Sequence, residues 1–314
     1  MMKTFLHLNT STGGSTGIDH AQGNEFFSAA ALTAVSQAAE RAGFYGVYVT
    51  EHPFPSDARL RAGVGHHSLD PLVPLSIAAA TTSKLRLCTY IYVLPYHNPF
   101  IAARAMASLD VASGGRLVMG VGVGWMEEEF EALGVNFAER NELTDEAIVA
   151  IKAAWTQENV KMEGRHFRAS GNTMLPHPIQ KPHPPIYVGG NSRIAARRAG
   201  EMGDGFMPFF NPAKFAKTRH TAAIESLEQM GKIVNYAQSV AQAAGRAPLD
   251  IGGVLTEMGS WGSPKFDVKK VIDEAQQLKA LGVNVIYLGV GGATYRQQAD
   301  NVERLGQEIL PRLP

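Results

Sequence analysis

The chain has 314 residues, a formal net charge of zero and a hydrophobic fraction of 45%, which is typical of a globular protein with a large core. Zero net charge without a basic block argues against a partner that is a nucleic acid. No stretch approaches the roughly 20 apolar residues of a membrane span, and the first residues lack the apolar segment of a signal peptide. We therefore expect no membrane partner and a cytoplasmic location.

Strand and helix patterns alternate along the whole chain, and Gly43 ends the first helix. The predicted strands are residues 4–8, 46–49, 85–94, 116–123, 185–190, 206–209, 251–255 and 284–288. The predicted helices are residues 25–42, 70–83, 99–112, 141–155, 192–201, 220–244, 268–281 and 294–312. Prolines and glycines interrupt this pattern over 158–185, where short strand-like segments are predicted at 160–162 and 166–168.

The sequence thus predicts eight strands, each followed by a helix. This is the number of strands in a (β/α)8 TIM barrel, which belongs to the α/β class. We predict one such barrel domain over residues 1–314, with insertion loops at its C-terminal face. The rival fold is a doubly wound sheet with two domains, but the glycines at 120–124 lack the third glycine of a dinucleotide fingerprint. In a TIM barrel, functional side chains lie where strands end and helices begin.

Residues 85–130 form the central β-α-β unit of this pattern. The only cysteine, Cys88, lies in its first apolar strand; it has no disulfide partner and is predicted to be a small buried hydrophobe. Asn98 and Pro99 suit the N-cap and first position of the helix. The second strand ends in Gly122-Val123-Gly124-Trp125, where missing side chains would let a flat ligand approach the backbone.

Gly189-Gly190-Asn191-Ser192 is the best candidate for an anion site. The two glycines follow a predicted strand and lead into a helix N-terminus, whose N–H groups and dipole suit a phosphate. Asn191 or Ser192 would add a side-chain donor. A plain capping turn explains the same residues equally well, and position on the functional rim of the barrel favours the phosphate.

Glu51-His52 follows the second strand. His52 is a candidate proton donor or base near neutral pH, and Glu51 would orient its ring. The alternative is that His52 only packs against Pro53 and Trp125.

His66 and His67 lie together in the next loop. They lack a third ligand in metal-binding spacing, so we expect no metal site there and predict that they line the substrate pocket.

Two charged segments have an ordinary surface interpretation. Arg193 and Arg197 share one helix face and can hold the acidic tail of a ligand, although a solvated face is the more usual explanation. The acidic run Glu127-Glu128-Glu129 has the same surface interpretation, in which the carboxylates favour the N-terminus of the following helix.

The chain resembles the luciferase-like monooxygenase superfamily, particularly its bacterial oxidoreductases that use FMN or the deazaflavin coenzyme F420. Three segments carry this resemblance in the correct order: Glu51-His52, residues 85–125 and residues 185–206. The resemblance implies a TIM barrel with the cofactor ring at its C-terminal mouth. It also implies a small-molecule substrate and, since relatives are often dimers, a homodimer.

The resemblance assigns roles to particular residues. A bulge that backs the ring, often with a non-proline cis peptide, maps onto Tyr90-Ile91. The cofactor phosphate maps onto Gly189-Gly190, and the loop from Gly122 through Gly124 would line the same cavity. Glu51-His52 corresponds to an acidic residue and a histidine beside the ring, which makes His52 the candidate proton donor.

Four positions depart from the family pattern. Many relatives carry arginine at His97, a second histidine at Pro53 and a small residue at Tyr90, and some place a catalytic acid at Trp125. Because these positions adjoin the ring or the substrate, the identity of the substrate cannot be inferred from that of relatives. The leading hypothesis is a flavin- or deazaflavin-dependent oxidoreductase that acts by hydride transfer or oxygenation, and the family pattern favours coenzyme F420 slightly over its alternative, FMN. A barrel lyase or isomerase for a phosphorylated sugar, or a non-catalytic flavin-binding barrel, stays open.

Overall fold

The computed structural model describes residues 2–12, 25–262 and 265–314. Eight parallel strands follow one another around a closed barrel, because each pairs with its neighbour in the chain and the last pairs with the first. This confirms the predicted (β/α)8 TIM barrel. The strands are β1 (Lys3–His7), β2 (Gly46–Val49), β3 (Arg86–Thr89), β4 (Leu117–Gly122), β5 (Ile186–Gly189), β6 (Gly205–Met207), β7 (Asp250–Val254) and β8 (Val285–Leu288).

Helices surround the barrel and account for the helical periodicity of the sequence. Those described are Ala29–Ala42, Asp57–Arg61, Leu72–Thr81, Pro99–Ala112, Glu127–Ala132, Arg140–Thr156, Arg193–Met202, Ala213–Ala216, Leu227–Ala243, Val268–Ala280 and Tyr295–Glu308. Within the described ranges, no helix has both the length and the apolar character needed to cross a bilayer.

Short strands decorate the barrel. Ser11–Thr12 pairs with His67–Ser68 at the C-terminal face. Val160–Glu163 pairs with Arg168–Asn172 in an antiparallel hairpin, which confirms the strand-like segment predicted at 160–162 and moves its partner two residues beyond the predicted start at 166.

Aromatic side chains fill the inside of the barrel. Phe5 stacks on Tyr287, with 5.3 Å between ring centroids, and Tyr90 lies 4.3 Å from Tyr287 by the same measure. Cys88 lies in this cluster and is fully buried, as predicted. Burial raises the pKa of the Cys88 thiol to about 12, so the thiol stays protonated and unreactive at neutral pH.

The central helix has the predicted ends. The Asn98 side chain accepts hydrogen bonds from the N–H groups of Phe100 and Ile101, and the helix runs from Pro99 to Ala112. Trp155, fully buried on the next long helix, donates its indole N–H to the Ala103 carbonyl at 2.9 Å. This bond fixes the helix Arg140–Thr156, whose first residues face the barrel mouth.

The prediction of one continuous strand over 85–94 is wrong. β3 ends at Thr89, a cis peptide joins Tyr90 to Ile91, and extended structure resumes only at Tyr92–Val93. The two residues at the break, Tyr90 and Ile91, are half-buried and as apolar as the residues that follow them, so hydrophobicity alone does not reveal the break. Tyr92–Val93 pairs with β4 directly.

The helix predicted over 220–244 begins instead at Leu227. Ser226 is its N-cap and accepts from the Gln229 N–H. Upstream, Asn211 and Ile224 exchange backbone hydrogen bonds in an isolated bridge, which closes a loop over 211–224. The predicted strand over 206–209 likewise ends at Met207, so the loop that follows β6 is longer than the sequence suggested.

Candidate active site

A cavity of about 460 Å³ opens at the C-terminal mouth of the barrel. Eight of the ten predicted catalytic and cofactor-binding residues line it, and they end or follow β2, β3, β4 and β5: Glu51, His52, Tyr90, Ile91, Gly124, Gly189, Gly190 and Ser192. Gly122 and Asn191 are not among its lining residues. The cavity thus gathers most of the predicted site at the predicted face.

The Tyr90-Ile91 bulge forms the floor of this cavity. Its peptide bond is cis, as the resemblance implied. The Ile91 side chain fills the space over two glycines: a Cβ built on Gly122 would lie 2.0 Å from Ile91 Cδ1, and one on Gly189 would lie 2.9 Å from Ile91 Cγ2. Gly122 therefore makes room for Ile91 rather than for a ligand, which corrects its predicted role.

His52 pairs with a carboxylate, but not with the one predicted. Its Nδ1 lies 2.9 Å from Oε2 of Glu129, and its side chain is 11% exposed. Glu129 is fully buried and also accepts from the Phe54 N–H at 3.2 Å and the Tyr96 hydroxyl at 3.1 Å. The surface interpretation of the acidic run is thus wrong for Glu129, which turns inward from the first turn of its helix.

Glu51 belongs to a second carboxylate–histidine pair. Its Oε1 lies 2.8 Å from Nε2 of His97, and its Oε2 accepts from the Val93 N–H at 2.6 Å. The His97 ring stacks on Tyr92 with 4.0 Å between centroids. The prediction that Glu51 orients the His52 ring is therefore wrong: Glu51 anchors the segment that follows the bulge.

His66 lines the cavity, as predicted, beside His52. Its Nε2 bonds with the Thr50 hydroxyl at 2.9 Å, and its ring meets the His52 ring edge-on at 4.8 Å. Burial, followed by the charges of neighbouring histidines, lowers the pKa of His66 to about 3, so this ring is neutral at pH 7. The described residues contain no cluster of three or more His, Cys, Asp or Glu arranged around a metal position.

Two buried neutral histidines predict acid destabilisation. Burial lowers the pKa of His66 to about 3 and that of His7 to about 4, whereas an unfolded histidine titrates near 6.5. Below about pH 6.5 the unfolded chain binds protons that the native protein does not, so the free energy of unfolding falls as pH falls. We expect a slope of up to about 1.4 kcal/mol per pH unit for each histidine.

Urea unfolding between pH 7 and pH 4 measures this slope. His66→Gln removes one titrating group, so its free energy of unfolding should decline less steeply than that of the wild type. Identical pH dependence in the two proteins would contradict the assignment of His66 as a buried neutral histidine.

Loops after β5 and β6 meet at the other side of the cavity. Ser192 caps the helix Arg193–Met202 by accepting from the Ala195 N–H. Gly190 has φ +124°, in the region that favours glycine. The Asn191 side chain, 3% exposed, donates to the carbonyls of Phe209 and Ala222 and accepts from the Phe209 N–H. Asn191 therefore ties two loops together, and its predicted role as a ligand donor is taken up by these contacts.

Two further cations face this side of the cavity, and sequence reasoning missed both. Arg140 and Arg219 line it together with Gly190 and Ser192; we call these four residues the arginine corner. Arg140 packs on the Phe137 ring, 3.8 Å from its centroid. The Phe137 ring also meets the His220 ring at 5.1 Å, which brings the β6 loop against the start of the helix Arg140–Thr156.

The arginine corner carries positive charge that the protein balances only in part: the carboxylate of Glu127 favours the Arg140 cation. Across the described parts of the chain, neither Arg140 nor Arg219 forms an ion pair, and Arg140 Nε is buried without a hydrogen-bond partner. Burial lowers the pKa of both guanidinium groups. Both side chains are half-buried. Since a partly desolvated cation without an ion pair is costly, this corner suits an anionic group of a ligand.

The arginines predicted from the sequence lie elsewhere. Arg193 packs on the Tyr236 ring, 3.7 Å from its centroid, and Arg197 pairs with Glu201 at 2.6 Å. Neither is among the cavity-lining residues. Arg198, from the same helix, does line the cavity, but its charge is engaged by Asp145 and its Nη2 by Asn141.

A second hollow of about 510 Å³ lies outside the mouth, between the loops after β6 and β7. Its two carboxylates already serve their own loops. Glu274 accepts from the N–H groups of Thr256 and Glu257, and Glu225 accepts from that of Ala213. Both carboxylates of this hollow are therefore already engaged, and the cavity at the barrel mouth, which gathers the predicted residues, is the candidate active site.

Comparison with known proteins decides the family. Residues 4–256 match the family model of the luciferase-like monooxygenases. The chain belongs to this family. Membership confirms the resemblance drawn from the three sequence segments and agrees with the cis peptide at the end of β3.

Relatives within the luciferase-like family use two kinds of cofactor. The chain is 28% identical to an FMNH2-dependent dimethylsulfone monooxygenase of Pseudomonas putida, over 88% of this chain and 86% of that protein. It is 30% identical to an F420-dependent hydroxymycolic acid dehydrogenase of Mycobacterium tuberculosis, over 76% of this chain and 61% of that one. The fold is also similar to the crystal structure of monooxygenase RslO1 from Streptomyces bottropensis. The superposition covers 100% of each chain, with a TM-score of 0.81 and 23% identity.

Proposed function

We propose that this protein is an oxidoreductase that binds a flavin-type cofactor, coenzyme F420 or its alternative FMN, at the barrel mouth and acts on a small organic molecule. The observation that carries the proposal is the arginine corner: two guanidinium groups that form no ion pair with the described residues face the cavity beside a helix N-terminus. Family membership then narrows the anionic ligand to a phosphate-bearing flavin or deazaflavin.

The residues of the arginine corner fit a cofactor phosphate. The first N–H groups of the helix after Ser192 lack intrahelical partners, and its dipole favours negative charge. Arg219 Nη1 is held by Asn211 at 3.1 Å, which fixes one side of the guanidinium. The orphaned Nε of Arg140 supplies a further donor. We place the phosphate beside Gly190 and Ser192, as the sequence predicts. The amide of Gly190 itself bonds to the Met207 carbonyl at 3.3 Å.

The opposite side of the cavity fits a ring and a substrate. The Tyr90-Ile91 bulge offers a flat backing, and Gly124 and Trp125 form the neighbouring wall. When bound, the cofactor supplies the hydride acceptor or donor. His52 faces the same space and exchanges a proton with the substrate, while the apolar wall and the bulge exclude water.

Coenzyme F420 is the cofactor we place first. Glu51-His52 matches the acidic residue and histidine of the deazaflavin enzymes, and a 30% identical relative is F420-dependent. The second candidate is FMN with oxygenation of the substrate, which the more extensively covered FMNH2-dependent relative favours. The hypothesis of a sugar-phosphate lyase or isomerase loses its support. Family membership accounts for a phosphate-binding corner without a sugar phosphate as the substrate.

Titration of the purified protein with F420 and with FMN, followed by absorbance and fluorescence, tests the proposal. We expect saturable binding at one site per chain, with F420 the tighter ligand. Tighter binding of FMN would favour the second candidate. Binding of neither cofactor would overturn the proposal. A substrate panel of alcohols, ketones, thioethers and sulfones then identifies the reaction, and tight binding without any turnover would support the non-catalytic barrel.

A further inference from the structure

We propose that Glu129 is the positioning residue of this site: its buried carboxylate holds the His52 ring with the proton on Nδ1 and leaves Nε2 facing the cavity. This inference rests on the proposed function, in which His52 exchanges a proton with the substrate. Sequence reasoning assigned that role to Glu51, which is adjacent to His52. Glu129 lies 77 positions after His52 in the chain.

The hydrogen bonds of Glu129 show that it acts as an acceptor. Oε2 receives the Tyr96 hydroxyl at 3.1 Å and lies 2.9 Å from His52 Nδ1, while Oε1 receives the Phe54 N–H at 3.2 Å. Burial and the charge of Glu129 raise the pKa of Tyr96, so the phenol remains a donor throughout the neutral range. Glu129 thus already accepts from two donors. We assign it the acceptor role in the third hydrogen bond as well, so that Nδ1 is the donor and carries the proton.

No neighbouring group in the described residues replaces Glu129 as the partner of Nδ1. Glu51 is engaged by His97 and the Val93 N–H. The rings of His66 and Trp125 meet the His52 ring edge-on, at 4.8 and 5.7 Å between centroids. Ser68 accepts from the backbone N–H of His52 rather than from its ring.

The fixed ring has a direct chemical consequence. With Nδ1 protonated, the neutral imidazole presents a bare Nε2, which can accept a proton. Once Nε2 is protonated, the adjacent carboxylate stabilises the imidazolium, which can return the proton. A ring free to reorient would present either nitrogen, and in water the neutral imidazole prefers the proton on Nε2.

NMR of ligand-free protein carrying ¹⁵N-labelled histidine reads the tautomer directly, at a pH where the ring is neutral. His52→Gln assigns the signal by its disappearance. We expect the wild-type ring to be protonated on Nδ1. Glu129→Ala should shift the proton to Nε2 in most molecules, and Glu129→Gln, whose amide oxygen still accepts, should keep the Nδ1–H form.

The matched control is Glu51→Gln, which alters the other carboxylate–histidine pair. It should change the signal of His97 and leave the His52 tautomer as in the wild type. A wild-type His52 with its proton on Nε2 overturns the proposal whatever the variants do, and so does an unchanged tautomer in a folded Glu129→Ala protein.

The outcome is separable from that of the proposed function, because no cofactor is present in this measurement. A protein that shows the expected tautomers and binds neither F420 nor FMN would refute the oxidoreductase while retaining Glu129 as the residue that positions His52. A protein that binds cofactor but carries the His52 proton on Nε2 would support the oxidoreductase and refute the positioning role of Glu129.

Discussion

Replacing Arg219 by alanine should weaken binding of the phosphorylated cofactor roughly ten- to hundredfold, since a hydrogen bond to a charged group contributes about 1.5–3 kcal/mol. The guanidinium of Arg219 faces the cavity without an acidic partner in the described chain, so its removal takes a counter-charge from the ligand and none from the protein. Fluorescence titration with F420 and FMN measures the loss. Arg140→Ala should have an effect of similar size.

Riboflavin, which lacks the phosphate, distinguishes a phosphate contact from a general loss of the cavity. Its affinity should be the same for the wild type and Arg219→Ala, whereas that of FMN should fall. Arg197→Ala is the matched protein control, because Arg197 pairs with Glu201 on the helix surface and does not line the cavity. Equal losses for riboflavin and FMN, or no loss for either, would place the phosphate elsewhere.

His52→Ala should reduce turnover by about 10²- to 10⁴-fold, the contribution of a positioned general acid or base, while cofactor affinity stays within a fewfold of the wild type. His52 lies between the Trp125 edge and the Glu129 carboxylate, and its described hydrogen-bond and ring partners lie outside the arginine corner. The measurement is kcat on the substrate that the panel identifies, together with the cofactor titration.

His166→Ala is the control for this substitution, since His166 belongs to the outer hairpin region and does not line the cavity. Full turnover by His52→Ala with cofactor bound would show that His52 is a packing residue, which is the alternative that the sequence raised. Loss of cofactor binding in step with turnover would instead indicate that His52 supports the cavity wall.

Local patterns were sufficient to predict the barrel. Alternating strand and helix signals gave eight strands, and capping chemistry placed the helix at Asn98-Pro99. Local patterns did not predict the structure correctly where a continuous strand and an interrupted strand have the same amino-acid composition. Residues 90–94 continue the apolar and β-rich character of residues 85–89, so local composition does not separate a straight strand from one broken at Tyr90-Ile91.

The site was predictable only in part, because its decisive contacts are distant in sequence. Glu51 and His52 are neighbours in the chain, yet successive residues at the end of a strand face different partners, and each finds its own across the barrel. Glu129 sits in a run of three acids, and only burial distinguishes it from Glu127. A weak signal did exist: a carboxylate next to the buried Phe130 on an amphipathic turn is a candidate for burial.

The arginine corner illustrates a different limit. Arg140 begins a helix and Arg219 lies in an irregular loop, and both positions are typical of solvated arginines. Nothing in either local sequence indicates that the two loops meet. Conversely, Asn191 is a good cap or ligand donor by type, and only its three contacts with the loop after β6 show that it is already occupied.

The tyrosine-filled interior of the barrel has a consequence for the order of events during turnover. Phe5, Tyr90 and Tyr287 close the barrel beneath the cavity, so within the described structure both ligands must enter and leave through the same mouth. In the proposed function the cofactor is seated on the bulge, and the substrate that arrives after it covers it. Steady-state kinetics should therefore show compulsory-order behaviour, with the covered ligand binding first and departing last.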